Sequence, residues 1–357
     1  MNEIDRIADK IHRAQRITPA EALSLWREAP LWLLGQLASE RKQCVSGDKV
    51  YYNRNFHIEP TNLCVFNCKF CSYRRPKGSP EVWDYSMEEI EQMARAHQGQ
   101  GVTEVHIVGG VHPEHGLDYY IDMIRRIKTI LPAATIKAFT AIELSYMIRK
   151  AGYSICEGLQ LLQQAGMEAI PGGGAEIFDE ELRRRICPDK GSTAEWLEVH
   201  ETAHRLGVKT NATILYGHIE TLEHRIDHLC RLRDLQDRTG GFNAFIPLKY
   251  RNYGNSMSQI GEVSIVEDMR MLALSRLFLD NIPHIKAYWV MYGKQTTELA
   301  LAFGADDIDG TIDDTTKIYS MAGADDTKPS MSAAEMHRII ANAGYRAVER
   351  DTLYNEL

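Results

Sequence analysis

Three cysteines, Cys64, Cys68 and Cys71, fall within eight residues in the stretch HIEPTNLCVFNCKFCSYRR, residues 57–75. Thiols gathered this closely bind soft metals. A structural zinc site takes four protein ligands, usually as two spaced pairs. Cys68-x-x-Cys71 has no second pair, because Cys44, Cys156, Cys187 and Cys230 each stand alone in the chain. His57 could complete a zinc site. A ferredoxin-type cluster takes four cysteines, so three thiolates on a 4Fe–4S cubane leave one iron open to a substrate or cofactor. The residues alone therefore allow a metal-stabilised scaffold or an enzyme with an open iron. Seven cysteines, four of them isolated, argue against a disulfide framework. The isolated ones read as small buried hydrophobes.

The elements that must hold this cluster follow a rhythm. Strand-like runs occur at 55–60, 104–110, 135–141, 168–173, 208–215, 242–248, 284–291 and, weakly, 306–310, with amphipathic helical stretches between them. Alternating strand and helix implies parallel strands with crossover helices. Eight units spread over residues 51–320 are the length of a (β/α)8 TIM-type barrel. A doubly wound sheet competes, but no GxGxxG follows the first strand. Residues 1–50 read as an N-terminal helical segment, with Thr18-Pro19-Ala20-Glu21 a capping box that carries proline at the first helical position. Ser86 and Glu89 start another helix in the same way. Residues 321–357 read as a C-terminal helical extension packed on the barrel, with Ser332 and Glu335 at its cap.

Composition narrows the function. The chain has 357 residues, 44% hydrophobic and 25% charged, enough for an extensive core. A net charge of −8 argues against a nucleic-acid surface, and the basic runs Arg74-Arg75 and Arg183-Arg184-Arg185 read mainly as solvated faces. The charged N-terminus lacks the apolar core of a secretory signal and no apolar run is long enough to span a membrane, so a cytoplasmic protein is expected.

Barrels of this kind bind ligands at the C-terminal ends of their strands. Cys64 follows the first strand, Gly109-Gly110 ends the second, PGGGAEI ends the fourth and YGHIE follows the fifth. Strand alternation places Asn55, His57 and Glu59 on one face, then Glu104, His106 and Val108, then Asn211, Thr213 and Leu215. Polar residues inside a barrel must be paired or in use. His57, Asn211 and His218 are therefore candidates for duty at the substrate. His200, His204, His224 and His228, at helical spacing, read as helix-surface residues.

C-x3-C-x2-C with Phe70 before the last cysteine resembles the signature of the radical S-adenosylmethionine superfamily. The resemblance implies a 4Fe–4S cluster on Cys64, Cys68 and Cys71, whose open iron chelates S-adenosylmethionine. Gly109 and Gly110 would let the backbone approach the methionine amino group. Phe70 and Tyr73 would lie beside the cluster and adenine, and Glu176 would reach the ribose hydroxyls. NRNFHIEPTNLC, GVTEVHIVGGVHP, KAFTA-x-E, PGGGAEIF, ICPDK and TNATILYGHIET, in order over residues 53–221, further resemble the aminodeoxyfutalosine synthase family of menaquinone biosynthesis. That family adds the 5′-deoxyadenosyl radical to an aryl enol-ether dicarboxylate, 3-[(1-carboxyvinyl)oxy]benzoate, and draws its electron from a donor such as flavodoxin or ferredoxin. Hydrogen-abstracting relatives, dehypoxanthine futalosine cyclase and the deazaflavin-forming synthase subunit, share PGGGAE and the cysteines. They usually read YTN where this chain has HIEPTN.

Overall fold

Capping chemistry fixes where the first helices begin. The computed structural model describes residues 2–324 and 326–357. Three helices open the chain: α1 (Glu3–His12), α2 (Pro19–Glu28) and α3 (Leu31–Ser46). At α2 the Thr18 hydroxyl accepts the Glu21 N–H at 3.2 Å and the Glu21 carboxylate accepts the Thr18 N–H at 2.8 Å, the reciprocal box expected of that sequence.

Ten strands follow: β1 (Lys49–Asn53), β2 (Asn55–Ile58), β3 (Glu104–Ile107), β4 (Thr135–Ala138), β5 (Met167–Ile170), β6 (Lys209–Tyr216), β7 (Phe242–Lys249), β8 (His284–Ile285), β9 (Asp307–Gly310) and β10 (Arg346–Glu349). Strands β2 to β8 form one parallel sheet in chain order. The crossovers carry α4 (Met87–Ala96), α5 (Leu117–Ile130), α6 (Ala141–Lys150), α7 (Ile155–Ala165), α8 (Glu180–Ile186), α9 (Thr193–Arg205), α10 (Leu222–Thr239) and α11 (Ile265–Phe278). Helix α5 shows why they pack: Ile121, Ile124 and Ile127 are buried at helical spacing. They share one buried apolar cluster with the strand residues Phe56, Val105, Ile107 and Ile136, all fully buried, while the alternate residues face the barrel interior.

Seven of the eight expected strands are present at close to their expected positions, and β1 and β10 are additional. The strand expected over 284–291 is corrected to His284–Ile285 alone, because the chain turns into a short helix over Trp289–Tyr292. The eighth, β9, sits where a closing strand belongs, joined to β8 through the bridge between Lys286 and Asp307. Its ladder continues to β1, which pairs with β10, making a second sheet in the order β10-β1-β9. The free edge of β2 is satisfied by side chains instead. The Asn55 N–H donates to the Thr311 hydroxyl at 3.1 Å and the His57 N–H to the Thr315 hydroxyl at 2.7 Å. The C-terminal extension thus combines helix α15 (Ala333–Asn342) with a strand tied to residue 49 and beyond.

Two expectations for histidines are corrected. His200 and His228 are fully buried rather than on a helix surface. The His228 ring stacks on Phe178 at 3.8 Å and hydrogen-bonds the Thr213 carbonyl at 2.8 Å, and His200 meets the Thr210 hydroxyl at 2.9 Å. Spacing of four along a helix marks one face, and it does not say which way that face turns. Among the described residues no helix is long and apolar enough to cross a membrane.

Ion pairs seal the join between the two sheets. Arg350, fully buried, holds Asp307 at 2.6 Å, and Arg276 holds Asp306 at 2.6 Å. Removing one partner of such a pair strands a buried charge, at a cost of about 3–5 kcal/mol. Arg350→Met should therefore lower the free energy of unfolding by about that much, read as a drop in the urea midpoint. A midpoint within error of the parent would mean the pair does not close the barrel.

Candidate active site

The cysteines lie in a long loop after β2 that is tied down along its length. Asn62 accepts the Trp83 N–H at 2.9 Å and donates to the Glu81 carbonyl at 3.0 Å, and the Arg75 N–H returns to the Asn62 carbonyl at 2.8 Å. Beyond β3, the Gly110 N–H donates to the Thr61 carbonyl at 2.7 Å, and the Val65 N–H to the Val111 carbonyl at 3.0 Å. A Cβ on Gly110 would fall inside contact distance of the Leu63 carbonyl. The glycine pair therefore lets the cysteine loop itself come close, besides whatever ligand lies above it.

Cys64, Cys68 and Cys71 all face one cavity. Three thiols converging on one cavity, with backbone N–H groups at their sulfurs, are the donor set of a thiolate-held iron–sulfur cluster. Backbone N–H groups point at the sulfurs, those of Phe66 and Val111 at Cys64 and that of Arg74 at Cys71 at 3.4 Å. Burial pushes the Cys71 thiol up to about 11 and raises Cys64 as well. Cys68 is raised by a hydrogen bond with the Cys187 thiol and by burial.

The cavity has a volume of about 320 Å³, within the small-molecule range. At its upper end are the cysteines, Phe70, Tyr73, Gly109, Gly110, Glu143, Glu176 and Lys190. The Glu143 carboxylate accepts the Gly109 N–H at 3.0 Å and the Thr140 N–H at 2.7 Å, and burial raises its pKa to about 7. Glu176 has a left-handed backbone at φ 49° and pairs with Lys190, whose ammonium also lies 5.7 Å over the Phe70 ring. Burial opposes the Lys190 charge, and the Glu176 carboxylate together with the neighbouring Cys68 and Cys187 more than restores it. The Tyr73 hydroxyl donates to the Thr61 carbonyl at 3.0 Å, which braces the loop.

The lower end is formed by strand interiors: His57, His106, Lys137, Asn211, Thr213, Lys286 and Asp309 all line it, with Val108, Leu215, Ile246 and Leu248 above them. The sequence alternation on β2, β3 and β6 thus points inward as expected. Burial, then the neighbouring His106, lower His57 to about 3, so its ring is neutral.

His218 is set apart from this group and does not line the cavity. Gly217, at φ 88°, turns the chain so that the His218 ring is fully buried against its own loop. Its Nδ1 accepts the Ile219 N–H at 2.7 Å, its Nε2 meets the Leu215 carbonyl at 3.1 Å, and Glu220 lies 3.1 Å away. Glu220 in turn pairs with Arg225 at 2.7 Å. The placement of His218 corrects the expectation of a substrate-facing histidine. His112 of GGVHP likewise caps its own loop, its Nδ1 accepting the Glu114 and His115 N–H groups at 3.1 Å. Sequence reasoning assigned no role to Glu143, Lys137, Lys190, Lys286 or Cys187. Lys137 and Glu143 lie in the window KAFTA-x-E and Cys187 and Lys190 in the run ICPDK, whereas Lys286 carried no local signal.

With that geometry in place, comparison with known proteins is informative. The family model described as the radical SAM superfamily matches residues 58–231, and that of the CofH/MqnC C-terminal region matches residues 239–357. An aminodeoxyfutalosine synthase of Thermus thermophilus is 41% identical over 98% of this chain and 95% of its own. One of Streptomyces coelicolor is 39% identical over 98% and 93%. Among solved structures, methylornithine synthase superposes with a TM-score of 0.75 over 95% of this chain and 96% of its own, at 17% identity, a likeness of fold.

Replacing Cys64, Cys68 or Cys71 with Ala should reduce anaerobically reconstituted iron from about four per chain to a small fraction, whereas Cys187→Ala and Cys156→Ala should retain it. Gly110→Val should also lose iron, because the added side chain displaces the Leu63 carbonyl and the loop with it. Iron content equal to the parent in a folded Gly110→Val protein would refute that account. His218→Ala should lower the melting temperature and leave turnover per folded molecule unchanged, and a normal melting temperature with lost turnover would reverse the assignment.

Proposed function

The chain belongs to the radical S-adenosylmethionine superfamily, and we infer from that membership and from its cavity that it carries out the aminodeoxyfutalosine synthase reaction. The 5′-deoxyadenosyl group joins the enol-ether double bond of 3-[(1-carboxyvinyl)oxy]benzoate, methionine leaves, and one carboxylate departs as bicarbonate, giving 6-amino-6-deoxyfutalosine on the route to menaquinone. Cys64, Cys68 and Cys71 would hold the 4Fe–4S cluster, which would supply the single electron for cleavage of S-adenosylmethionine and recover one when the product aromatises, so that the whole is redox-neutral. The observation that carries this reading is the triad of thiols opening onto one cavity with a polar floor, in a chain 41% identical to an aminodeoxyfutalosine synthase over 98% of its length.

The remaining roles are proposals for this chain's residues. The backbone at Gly109 and Gly110, with Glu143 behind it, lies beside the cysteine loop, where the methionine end would be held. Glu176 is free on its second oxygen to take ribose hydroxyls, and Phe70 gives the adenine or cluster an apolar wall. His57 and Asn211 face the substrate space. The cavity walls keep water from a reactive radical. A small acidic electron carrier such as flavodoxin or ferredoxin would deliver the electron. All seven cysteines are free, which fits a reducing compartment such as the cytoplasm.

A second reading is a hydrogen-abstracting relative, favoured by the CofH/MqnC match over residues 239–357. Product analysis separates the two. The reconstituted protein, given S-adenosylmethionine, dithionite and the enol ether, should release methionine and the adenosylated adduct in equal amounts. Free 5′-deoxyadenosine without adduct would favour the relative, and metal binding without any cleavage of S-adenosylmethionine would leave only a scaffold.

A further inference from the structure

The floor of the cavity contains a buried histidine with nothing to bind. Both ring nitrogens of His57 are shielded from solvent and have no hydrogen-bond partner among the described residues. An unpaired buried polar group costs about 1–3 kcal/mol, so one aimed into a cavity points to a ligand. His57 is not alone at that level. Its Cα pairs in register with His106, and His106 pairs with Lys137. Three side chains on adjacent strands therefore project inward as one layer. The two imidazoles stack at 4.5 Å. Lys286, just past β8 and bridged to β9, lines the same cavity.

The layer is rich in donors. The Lys137 ammonium has three N–H groups and gives one to Glu104 at 2.6 Å, whose same oxygen accepts the Thr352 hydroxyl at 2.6 Å. Lys286 is paired with Asp309. Each lysine is thus held in place by a carboxylate with N–H groups to spare, and His57 is uncommitted. A planar acceptor with two oxygens suits that arrangement. The layer also lies three to four residues below Gly109 and Gly110 on β3, about 10–13 Å at ~3.3 Å per residue. The substrate inferred above has its reacting vinyl carbon at one end and its benzoate carboxylate at the other.

We propose that His57, His106, Lys137 and Lys286 form a carboxylate seat that takes the benzoate carboxylate of the substrate and so presents the enol ether to the cofactor end of the cavity. The proposal rests on the synthase reading for the identity of the acid and on geometry for the site. Val108, Ile246 and Leu248, between the seat and the cysteines, provide an apolar slot for the aryl ring. The enol-ether carboxylate, the one that must leave, is then held elsewhere, near the top.

The test uses the reconstituted holoenzyme and two shape-matched probes, 3-methoxybenzoate and the neutral 3-methoxybenzamide, with affinities read by calorimetry. His57→Leu breaks no pair within the protein. It should weaken 3-methoxybenzoate about 10- to 100-fold, leave the amide, S-adenosylmethionine affinity and melting temperature close to the parent, and raise KM for the enol ether more than it lowers kcat. His57→Gln, which keeps a donor, should recover part of the loss. Equal losses for both probes would mean a loosened cavity and overturn the seat, as would unchanged benzoate affinity. A parent protein that binds 3-methoxybenzoate in this His57-dependent way but makes no adduct from the enol ether would refute the synthase reading and leave the seat standing.

Discussion

The carbonyl of Leu63 occupies the space that a side chain on residue 110 would need, and the rest of the site depends on that contact. It docks the cysteine loop against the end of β3. The hydrogen bonds from Gly110 and Val65 on either side of it then fix the height and tilt of three thiols above the barrel. Without that docking, each sulfur would hang from a loop of solvent-exposed residues such as Val65, Asn67 and Lys69. The same β3 backbone carries His106 one layer down and the Glu143-bound amide of Gly109 beside it. One strand end thereby sets the spacing between the metal-binding thiols, the cofactor space and the floor.

What could be read from the chain was whatever is written contiguously. The cysteine motif, the glycine pair, the capping boxes and the alternation on β2, β3 and β6 each occupy a short window. The resemblance to known synthases rested on such windows. The floor is different, because His57, His106, Lys137 and Lys286 come from four strands, each contributing one residue to a layer that exists only in the folded register. Lys286 looked like an ordinary strand lysine, and the window KAFTA-x-E contained Lys137 without showing which layer it reaches. His218 shows the converse. Its place after β6 pointed to the cavity, but Gly217 adopts a left-handed turn that rotates the next side chain into its own loop. The helical histidines were misplaced for a related reason, since periodicity finds a face and packing decides its direction. The three-stranded sheet was missed in part because β1 and β10 are short and lie almost 300 residues apart.

The interior of this barrel departs from the branched apolar filling usual for the fold. Glu104, Lys137, Lys286, Asp309, Asp307 and Arg350 are all buried, and they are paired so that charges balance. Hydrophobic replacements of such groups are often neutral or stabilising, so stability does not explain why they are there. Balance does have a functional use. A floor already neutral exerts its pull through oriented N–H groups and can release an acidic product. A bare cluster of cations would hold it too tightly.

The pairing of β1 with β10 matches Lys49 with Arg346, and Arg350 reaches Asp307 from the far end of the chain. On the ribosome this has a temporal meaning. Residues 49–53 emerge almost 300 residues before β10, the strand that pairs with them along one edge. The half-barrel of β2 to β8, whose neighbours follow one another in sequence, can assemble in order as it appears, with short loop closures at each step. Its final seam must wait, leaving Asp307 without its arginine and the β1 edge unpaired while synthesis continues. Through that interval the nascent chain presents an open sheet edge, and a chaperone that shields β1 would act just when the chain is most prone to associate with its neighbours.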